Sequence, residues 1–267
     1  MAEFEFKNSY DVQDLLEIMK ILRSPGGCPW DAQQTHKSIK KDLIEETYEV
    51  IEAINKDDKV LLCEELGDLL MQVVFHAQME QEAGVFDFGA VADGICKKLI
   101  ERHPHVFGQV EVSGVEDVLT NWDAIKKKTK KQKTTTDSML SVPRELPALM
   151  RATKLQKKAA NVGFDWSDVS GALDKLEEEI AELRQAIANS DGENMTEELG
   201  DVLFSAVNVS RFIKTDAEEA LTAASDKFLS RFTVVERLAG ERGIDMSSVG
   251  LDVLDALWDE AKTAENN

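Results

Sequence analysis

The sequence predicts an all-α protein made of two tandem, repeated helical bundles. Apolar residues recur at helical spacing almost throughout the 267 residues, and only five prolines and fifteen glycines interrupt them. No alternating segment of useful length indicates a strand. A pattern of four acidic residues that begins at Glu46 returns at Glu179 with every internal spacing unchanged, which indicates a duplicated domain.

In the first half, a helix is predicted after Asp11, an N-cap residue, and it ends at the turn 24–31. Three further helices are predicted over 37–55, 60–83 and 88–102. The third ends before Pro104, because proline cannot continue a helix. The apolar residues available for packing in the helix over 37–55 are Ile44, Tyr48, Ile51 and Ile54. Those expected on the inner side of the helix over 60–83 are Leu62, Leu66, Leu69, Leu70, Val73 and Val74.

A lysine-rich segment, 126–138, separates the two halves. A charge run of this kind is more often a solvated helix end or a linker than a nucleic-acid-binding arm. The domain boundary is therefore placed near residue 135, which gives domains 1–135 and 136–267. Helices in the second half are predicted over 147–160, 171–189, 193–214, 216–240 and 250–263.

The charge balance limits the possible partners. Lys and Arg number 31 against 51 Asp and Glu, for a net charge of −20. Such a chain repels a nucleic-acid backbone, whereas a small nucleotide chelated to Mg²⁺ is compatible with it. We expect no membrane span and no signal peptide. The odd number of cysteines, three, fits reduced thiols in the cytoplasm.

The duplicated acidic pattern is the strongest indication of chemistry. It reads Glu-x-x-Glu and then Glu-x-x-Asp, and side chains at i and i+3 share a helix face. If the two helices of each repeat pack antiparallel across their short connection, four carboxylates converge and repel one another unless a cation binds. Carboxylate oxygens suit Mg²⁺, with Mn²⁺ as a substitute. The predicted ligands are Glu46, Glu49, Glu65 and Asp68 in the first repeat, and Glu179, Glu182, Glu198 and Asp201 in the second.

A chain with 51 acidic residues also places such pairs on solvated helix faces, but the equal repetition favours a binding site. Glu45 and Glu178 precede the ligands, and they either hold or deprotonate an attacking water or bind a second metal ion. Glu64 and Glu197 are expected on the outer face.

Basic and aromatic residues offer contacts to a phosphorylated ligand. Each repeat has a Lys and an Arg at i, i+4 with an apolar residue after the Lys, and Arg can bind a phosphate through two donors. A Trp-Asp-x-x-Lys motif follows in each repeat. The tryptophan either stacks on a base or, as is more common for a helical Trp, packs in a core or an interface. These residues are Lys98, Arg102 and Trp122 in the first repeat, and Lys227, Arg231 and Trp258 in the second.

The sequence lacks the residues that other classes of functional site require. No histidine has a glutamate three residues before it, as di-iron bundle proteins require. The chain has no glycine-rich phosphate loop. No cysteine has a neighbouring base, so nucleophilic catalysis has no candidate residue.

The chain resembles the MazG family of nucleoside triphosphate pyrophosphohydrolases, in the all-α NTP pyrophosphatase superfamily. The resemblance covers nearly the whole chain, and no expected ligand is missing. It rests on EETYE…EELGD and EEIAE…EELGD together with GGCPWD (26–31), RHPHVFG (102–108), LPALMRATKLQKKAANVGFDW (146–166) and DKFLSRF (226–232).

This resemblance implies hydrolysis of an NTP to NMP and pyrophosphate, with Mg²⁺ held by two helices and water attacking the α-phosphorus. It implies that the C-terminal repeat is the principal catalyst, that the N-terminal repeat serves structure and dimerisation, and that the protein is a homodimer, with a regulatory protein partner possible. Phosphate and water contacts are assigned to Lys175, Glu178, Lys227 and Arg231, and the nucleotide contact to Trp258. The alternative is a helical protein-interaction module whose acidic faces are not catalytic.

Overall fold

The computed structural model describes four stretches of the chain, residues 4–118, 121–122, 125 and 134–265. Over these residues it contains helices and no strand, which confirms the all-α prediction. The chain divides into two compact units, Met1–Lys126 and Lys127–Asn267. The predicted boundary near residue 135 lies nine residues beyond this division, and residues 126–133 of the lysine-rich segment lie outside the described part.

The long helices of the first unit begin and end within a few residues of their predicted limits. Two short helices were not predicted, and each begins with a proline, whose fixed φ favours the first helical position. The helices are α1 (Val12–Arg23), α2 (Pro29–Gln33), α3 (Lys40–Asn55), α4 (Lys59–Glu82), α5 (Phe88–Arg102) and α6 (Pro104–Phe107).

The second unit also follows its predicted helices and adds a short one inside the predicted linker. That helix begins with a capping box between Thr134 and Asp137, which satisfies two backbone N–H groups at its start. The described helices are α7 (Thr135–Leu140), α8 (Ala148–Ala160), α9 (Val169–Asn189), α10 (Gly192–Phe212), α11 (Ala217–Glu241) and α12 (Leu251–Glu265).

The core of the first unit joins α1, α4 and the turn before α3. Its buried residues are Met19, Ile39, Val74, Phe75 and Met79. Arg23, at the end of α1, donates two hydrogen bonds of 2.9 Å to the Glu82 carboxylate. This contact holds the end of α4 against the end of α1.

The apolar residues of α3 that are available for packing do not pack within the single chain. Ile44, Tyr48, Ile51 and Ile54 are exposed, and the buried residues of α3 are Val50 and Ala53. The prediction that Leu66 and Val73 lie on the inner side of α4 was wrong, because both are exposed. Helical periodicity identifies an apolar face, but it does not say whether that face meets the same chain or a partner.

The second unit has a core between α11 and α12, formed by Val235, Ala239, Leu257 and Ala261. A second contact fixes α10. Arg211 of α10 donates a 2.6 Å hydrogen bond to Asp165, in the segment before α9. The side chains of this ion pair are 12% and 22% exposed, so solvent screens it only in part.

The same turn joins the acidic helices in both units. Asp57 and Ser190 occupy equivalent positions and have left-handed backbones, with φ of 53° and 55°. Each is followed by an aspartate, Asp58 or Asp191, whose carboxylate caps the next helix. These short turns, of three residues before α4 and two before α10, make α3–α4 and α9–α10 antiparallel hairpins, as the short connection predicted.

None of the helices in the described residues combines the length and the apolar character that a membrane span needs.

Candidate metal and nucleotide site

The hairpin α9–α10 brings three of the four predicted acidic ligands of the second repeat together. Oxygen atoms of Glu179, Glu182 and Glu198 all lie within 4.8 Å of one another. Glu179 is the most enclosed of them, at 6% exposure. Asp201 is exposed and lies outside this close group, but its charge contributes to the raised pKa of Glu198.

Crowding changes the acidity of this cluster. A hydrogen bond to Glu179 is the main cause that raises the pKa of Glu182, followed by loss of water around it. Loss of water is the main cause that raises the pKa of Glu198, followed by the charge of Glu179. The close approach of these carboxylates thus favours their protonated forms.

Lys175 supplies a positive charge to this cluster. Its ammonium lies 2.9 Å from a carboxylate oxygen of Glu178 and 2.9 Å from one of Glu179. The hydrogen bonds that Lys175 donates to both carboxylates raise its pKa above the usual range. Since Lys175 precedes them by three and four residues on α9, the contact follows from helix geometry.

The hairpin α3–α4 builds an equivalent cluster in the first unit. Oxygen atoms of Glu46, Glu49 and Glu65 lie within 4.8 Å of one another. Loss of water is the main cause that raises the pKa of Glu46 and of Glu65. The charge of Asp68 raises both values further, so the fourth predicted ligand also acts on the cluster.

Gln72 is part of this N-terminal cluster, and sequence reasoning missed it. It is 4% exposed, and its amide group lowers the pKa of the Glu46 carboxyl. Its carbonyl oxygen is buried without a hydrogen-bond partner. The available signal was position alone: Gln72 follows Asp68 by one helical turn.

The predicted basic and aromatic contacts of the second unit form a separate group between α11 and α12. The Arg231 guanidinium lies 5.9 Å from the ring centroid of Trp258, and the ring of Phe228 lies 5.3 Å from that of Trp258. Trp258 is half-buried and packs on the α11–α12 core, while Lys227 is exposed. Both predicted uses of the tryptophan, core packing and base contact, fit this position.

In the first unit, Trp122 is 37% exposed and its ring centroid lies 5.5 Å from that of His103. Lys98 is exposed and Arg102 is half-buried on α5. The lysine of the Trp-Asp-x-x-Lys motif, residue 126, lies outside the described residues. The other predicted neighbours of the ligands, Glu45, Glu64, Glu178 and Glu197, are all exposed.

Comparison with known proteins decides the family. The model of the MazG nucleotide pyrophosphohydrolase domain matches residues 34–107 and 168–235. Each segment contains one acidic hairpin in full. The chain belongs to the MazG family. It is therefore a member of a family of hydrolases, as its motifs indicated.

Individual MazG relatives match along nearly the whole chain. The nucleoside triphosphate pyrophosphohydrolase of Escherichia coli strain K12 is 46% identical over 259 residues, which cover 95% of this chain and 98% of that protein. The Thermotoga maritima nucleoside triphosphate pyrophosphohydrolase/pyrophosphatase MazG is 43% identical over 94% of this chain and 95% of its own. YabN of Bacillus subtilis, described as uncharacterized, is 49% identical over 93% of this chain and 51% of its own length.

The donor set of each MazG repeat fits a hard divalent cation. Every clustered ligand is a carboxylate, and three such groups within 4.8 Å can share one ion while leaving positions for water and phosphate. No histidine or cysteine belongs to either cluster, so the described ligands match Mg²⁺ or Mn²⁺ better than a softer metal.

Proposed function

We propose that this protein hydrolyses nucleoside triphosphates to the monophosphate and pyrophosphate, in an Mg²⁺-dependent reaction centred on the C-terminal cluster. The observation that carries the proposal is the convergence of Glu179, Glu182 and Glu198 beside Lys175. Two relatives that match along nearly their whole length are named nucleoside triphosphate pyrophosphohydrolases, which supports the substrate class.

Glu179, Glu182, Glu198 and Asp201 would hold the cation. Bound Mg²⁺ would lower the pKa of water and neutralise charge on the leaving group. Glu178 is 57% exposed at its side chain and contacts Lys175, so it can reach a water molecule outside the ligand cluster. Glu178 takes a proton from this water as the water oxygen bonds to the α-phosphorus. The bond from that phosphorus to the bridging oxygen breaks, and pyrophosphate leaves in line.

Positive side chains of the second unit bind the phosphates. Lys175 would exchange its carboxylate partners for phosphate oxygens when the nucleotide arrives, because a bound cation would neutralise Glu179. Lys227 and Arg231 are one turn apart on α11 and can contact the phosphate chain together. The half-buried face of Trp258 offers a plane for the base.

One difference in charge between the clusters favours the second repeat as the principal catalyst. Lys175 lies beside the C-terminal ligands, whereas the equivalent residue in the first repeat is Asp42. A carboxylate there repels a triphosphate, while an ammonium attracts one. The N-terminal unit then contributes structure and assembly rather than most of the turnover.

We also propose a cytoplasmic homodimer that acts on the nucleotide pool. Leu66 and Leu199 occupy equivalent positions in the two hairpins and are 49% and 50% exposed. Apolar residues of α3 and α5 are exposed too, more than solvated helices of a monomer need to leave uncovered. Sedimentation of the purified protein tests this: a species of one chain mass, about 30 kDa, at all concentrations would refute the dimer.

The reaction is tested by product analysis. Each NTP is incubated with the protein and Mg²⁺, and products are separated as NMP plus pyrophosphate or NDP plus phosphate. We expect NMP and pyrophosphate, and no product when the cation is chelated. NDP would refute the proposed bond cleavage, and the absence of turnover with every NTP would refute the enzymatic function.

The second candidate is a helical interaction protein, and the exposed apolar side chains of α3 and α5 favour it. The same assay separates the candidates, because a docking surface needs no metal and turns over no nucleotide. Substitution of exposed apolar residues would then remove partner binding, while substitution of Glu198 would have no effect on it.

A further inference from the structure

Three polar side chains of the first unit contact one another outside both acidic clusters. His36 lies in the turn between α2 and α3, and His76 and Glu80 lie one helical turn apart on α4. The Nδ1 atoms of the two imidazoles are 2.7 Å apart. The Nε2 atom of His36 lies 2.8 Å from a carboxylate oxygen of Glu80. These contacts hold the turn before α3 against α4.

The geometry of the imidazole pair determines how many hydrogens it holds. The ring planes differ by 5° and the centroids are 5.0 Å apart, whereas the Nδ1 atoms are 2.7 Å apart, so the rings meet through these two edges. An imidazole nitrogen donates when it carries a hydrogen and accepts when it does not. One hydrogen therefore lies between the Nδ1 atoms. The Nε2 atom of His36 carries another, because the Glu80 carboxylate can only accept.

Protonation of both rings is incompatible with this contact. Two imidazolium rings would each have an N–H at Nδ1, so that two hydrogens and two positive charges would face each other. One charged and one neutral ring fit the contact, and so do two neutral rings. The pKa of His76 is lowered, mainly by loss of water around the ring and then by the charge of His36. The last proton can bind only when the rings separate.

Few other charged groups act on the pair. Among the described residues, neither ring forms a hydrogen bond or an ion pair with a charged side chain of α1, α2, α3 or α5. Arg23 of α1 contacts α4 farther along the helix, where it pairs with Glu82. Lys37 follows His36 in the turn and is exposed. Glu80 is therefore the charged partner of the pair, and it contacts one ring alone.

The second unit has apolar residues at all three equivalent positions. The offset that relates the acidic residues of the two hairpins also identifies these positions. His36, His76 and Glu80 correspond to Val169, Val209 and Ile213. Apolar side chains bind no proton, so the second unit has no equivalent response to pH at these positions.

We propose that His36, His76 and Glu80 form an acid-sensitive latch, which holds the turn before α3 on α4 while the two rings share one hydrogen and releases the turn when both rings are protonated. The latch goes beyond the proposed function and requires neither a metal ion nor a nucleotide. Ile39, which the turn contributes to the core, is 2% exposed, and α3 begins at the next residue, Lys40. Release therefore loosens the start of the helix that carries two acidic ligands.

The direction of the pH effect follows from the proton that the closed latch resists. The unfolded chain takes up this proton at the ordinary pKa of histidine, 6.5, whereas the pKa of folded His76 is lower. Stabilisation by the latch is therefore complete above pH 6.5 and declines as pH falls toward the lowered value.

NMR of the histidine rings tests the proton count, because the chain has four histidines. Full-length protein with isotope-labelled histidine is titrated from about pH 8 to about pH 5. We expect His36 and His76 to titrate as a pair in two steps, the second at least about one pH unit below the ordinary value. His36→Gln should raise the midpoint of His76 by at least about half a unit. The matched change His103→Gln should leave that midpoint in place.

Amide hydrogen exchange detects the release itself. The N–H groups of Ser38 and Ile39 donate to the Thr35 carbonyl. Their protection factors, which are corrected for the intrinsic effect of pH on exchange, should fall at least about tenfold as the second proton binds. Protection in α10 of the second unit should not change over the same range.

A triple variant converts the latch to the residues of the second unit. His36→Val/His76→Val/Glu80→Ile should remove the acid-induced fall in protection, because no group at these positions then titrates. Circular dichroism at neutral pH verifies that the variant keeps its helices. If it does not, the His76 midpoint in His36→Gln decides alone.

Independent titration of the two rings at ordinary midpoints would overturn the proposal. An unchanged His76 midpoint in His36→Gln would contradict it as well, and so would a fall in protection that persists in the folded triple variant. Constant protection of Ser38 and Ile39 across the second step would show that protonation does not release the turn.

Discussion

The guanidinium of Arg231 lies 5.9 Å from the ring centroid of Trp258, so that one residue of α11 and one of α12 present a positive charge and an aromatic plane together. The ring carries a negative face, which attracts the guanidinium. This arrangement brings the proposed phosphate contact and the proposed base contact together, although the two residues are 27 positions apart in the sequence.

Replacing Arg231 tests whether this group binds the nucleotide. We expect Arg231→Met to lower kcat/KM for ATP by about 10- to 100-fold, since a charged hydrogen bond to phosphate contributes about 1.5–3 kcal/mol. Steady-state kinetics provides the measurement. Arg237→Met is the matched control, because Arg237 is on the same helix but pairs with Glu241. Equal losses in both variants would show a general effect on α11 instead.

The ligand assignment predicts unequal effects in the two repeats. Glu198→Gln and Asp201→Asn should each lower kcat at least about 100-fold, because loss of a metal ligand removes stabilisation of the transition state. The equivalent changes, Glu65→Gln and Asp68→Asn, should cost much less. Single-turnover assays with NTP and Mg²⁺ measure both sets. If the N-terminal changes cost as much, the C-terminal unit is not the principal catalyst.

The Arg211–Asp165 ion pair predicts a pH-dependent stability. The Arg211 hydrogen bond holds the pKa of Asp165 below its ordinary 3.8. For a carboxyl whose folded pKa is depressed, the stabilisation is present above the ordinary value and is lost as pH falls through the folded value. We expect Asp165→Asn to lower the free energy of unfolding by about 1–2 kcal/mol at pH 7.

That difference should shrink below pH 3.8, where the unfolded chain binds the proton that folded Asp165 still resists. Urea unfolding at several pH values checks it. Asp93→Asn is the control, because its partner Lys97 and Asp93 itself are 75% and 58% exposed, and we expect no measurable change at any pH. A difference that grows as pH falls would contradict the assignment.

Lys214 predicts a gain in stability. It follows α10 with a left-handed φ of 58°, and the N–H of Thr215 returns to the Ser210 carbonyl at 2.9 Å, as in a helix-ending Schellman turn. Glycine adopts this φ without the clash of Cβ, so Lys214→Gly should raise the free energy of unfolding by about 1 kcal/mol. Thermal unfolding measures it. Lys214→Ala keeps Cβ and should show no such gain.

The sequence predicted the acidic hairpins well because local rules determine them. Spacing of i and i+3 places Glu179 and Glu182 on one face, and an aspartate N-cap after a two-residue turn reverses the chain. The position of Lys175 beside the cluster follows from the same periodicity. These features depend on residues that are close in sequence.

The features that the sequence did not predict depend on contacts between secondary-structure elements or between chains. Gln72 looks like any polar residue on a long helix, and only the packing of α3 on α4 buries it against Glu46. The exposed face of α3 around Ile51 has the same pattern as a core-facing helix, because periodicity cannot distinguish an intramolecular partner from a second subunit. Pro29 and Pro104 were treated as helix terminators, whereas each also begins a short helix.

The left-handed turns at Asp57 and Ser190 restrict where the chain tolerates insertions. One added residue in either turn would rotate the following helix by about 100° relative to its partner and carry Glu65 or Glu198 away from the other ligands. The C-terminal ends of the same helices are free of this constraint. Helix α4 is 24 residues long and α10 is 21. Because the two helices begin at equivalent positions, α10 is shorter only at its C-terminal end, beyond the last ligand. Length variation among related chains should therefore concentrate after these helices and avoid the turns that precede them.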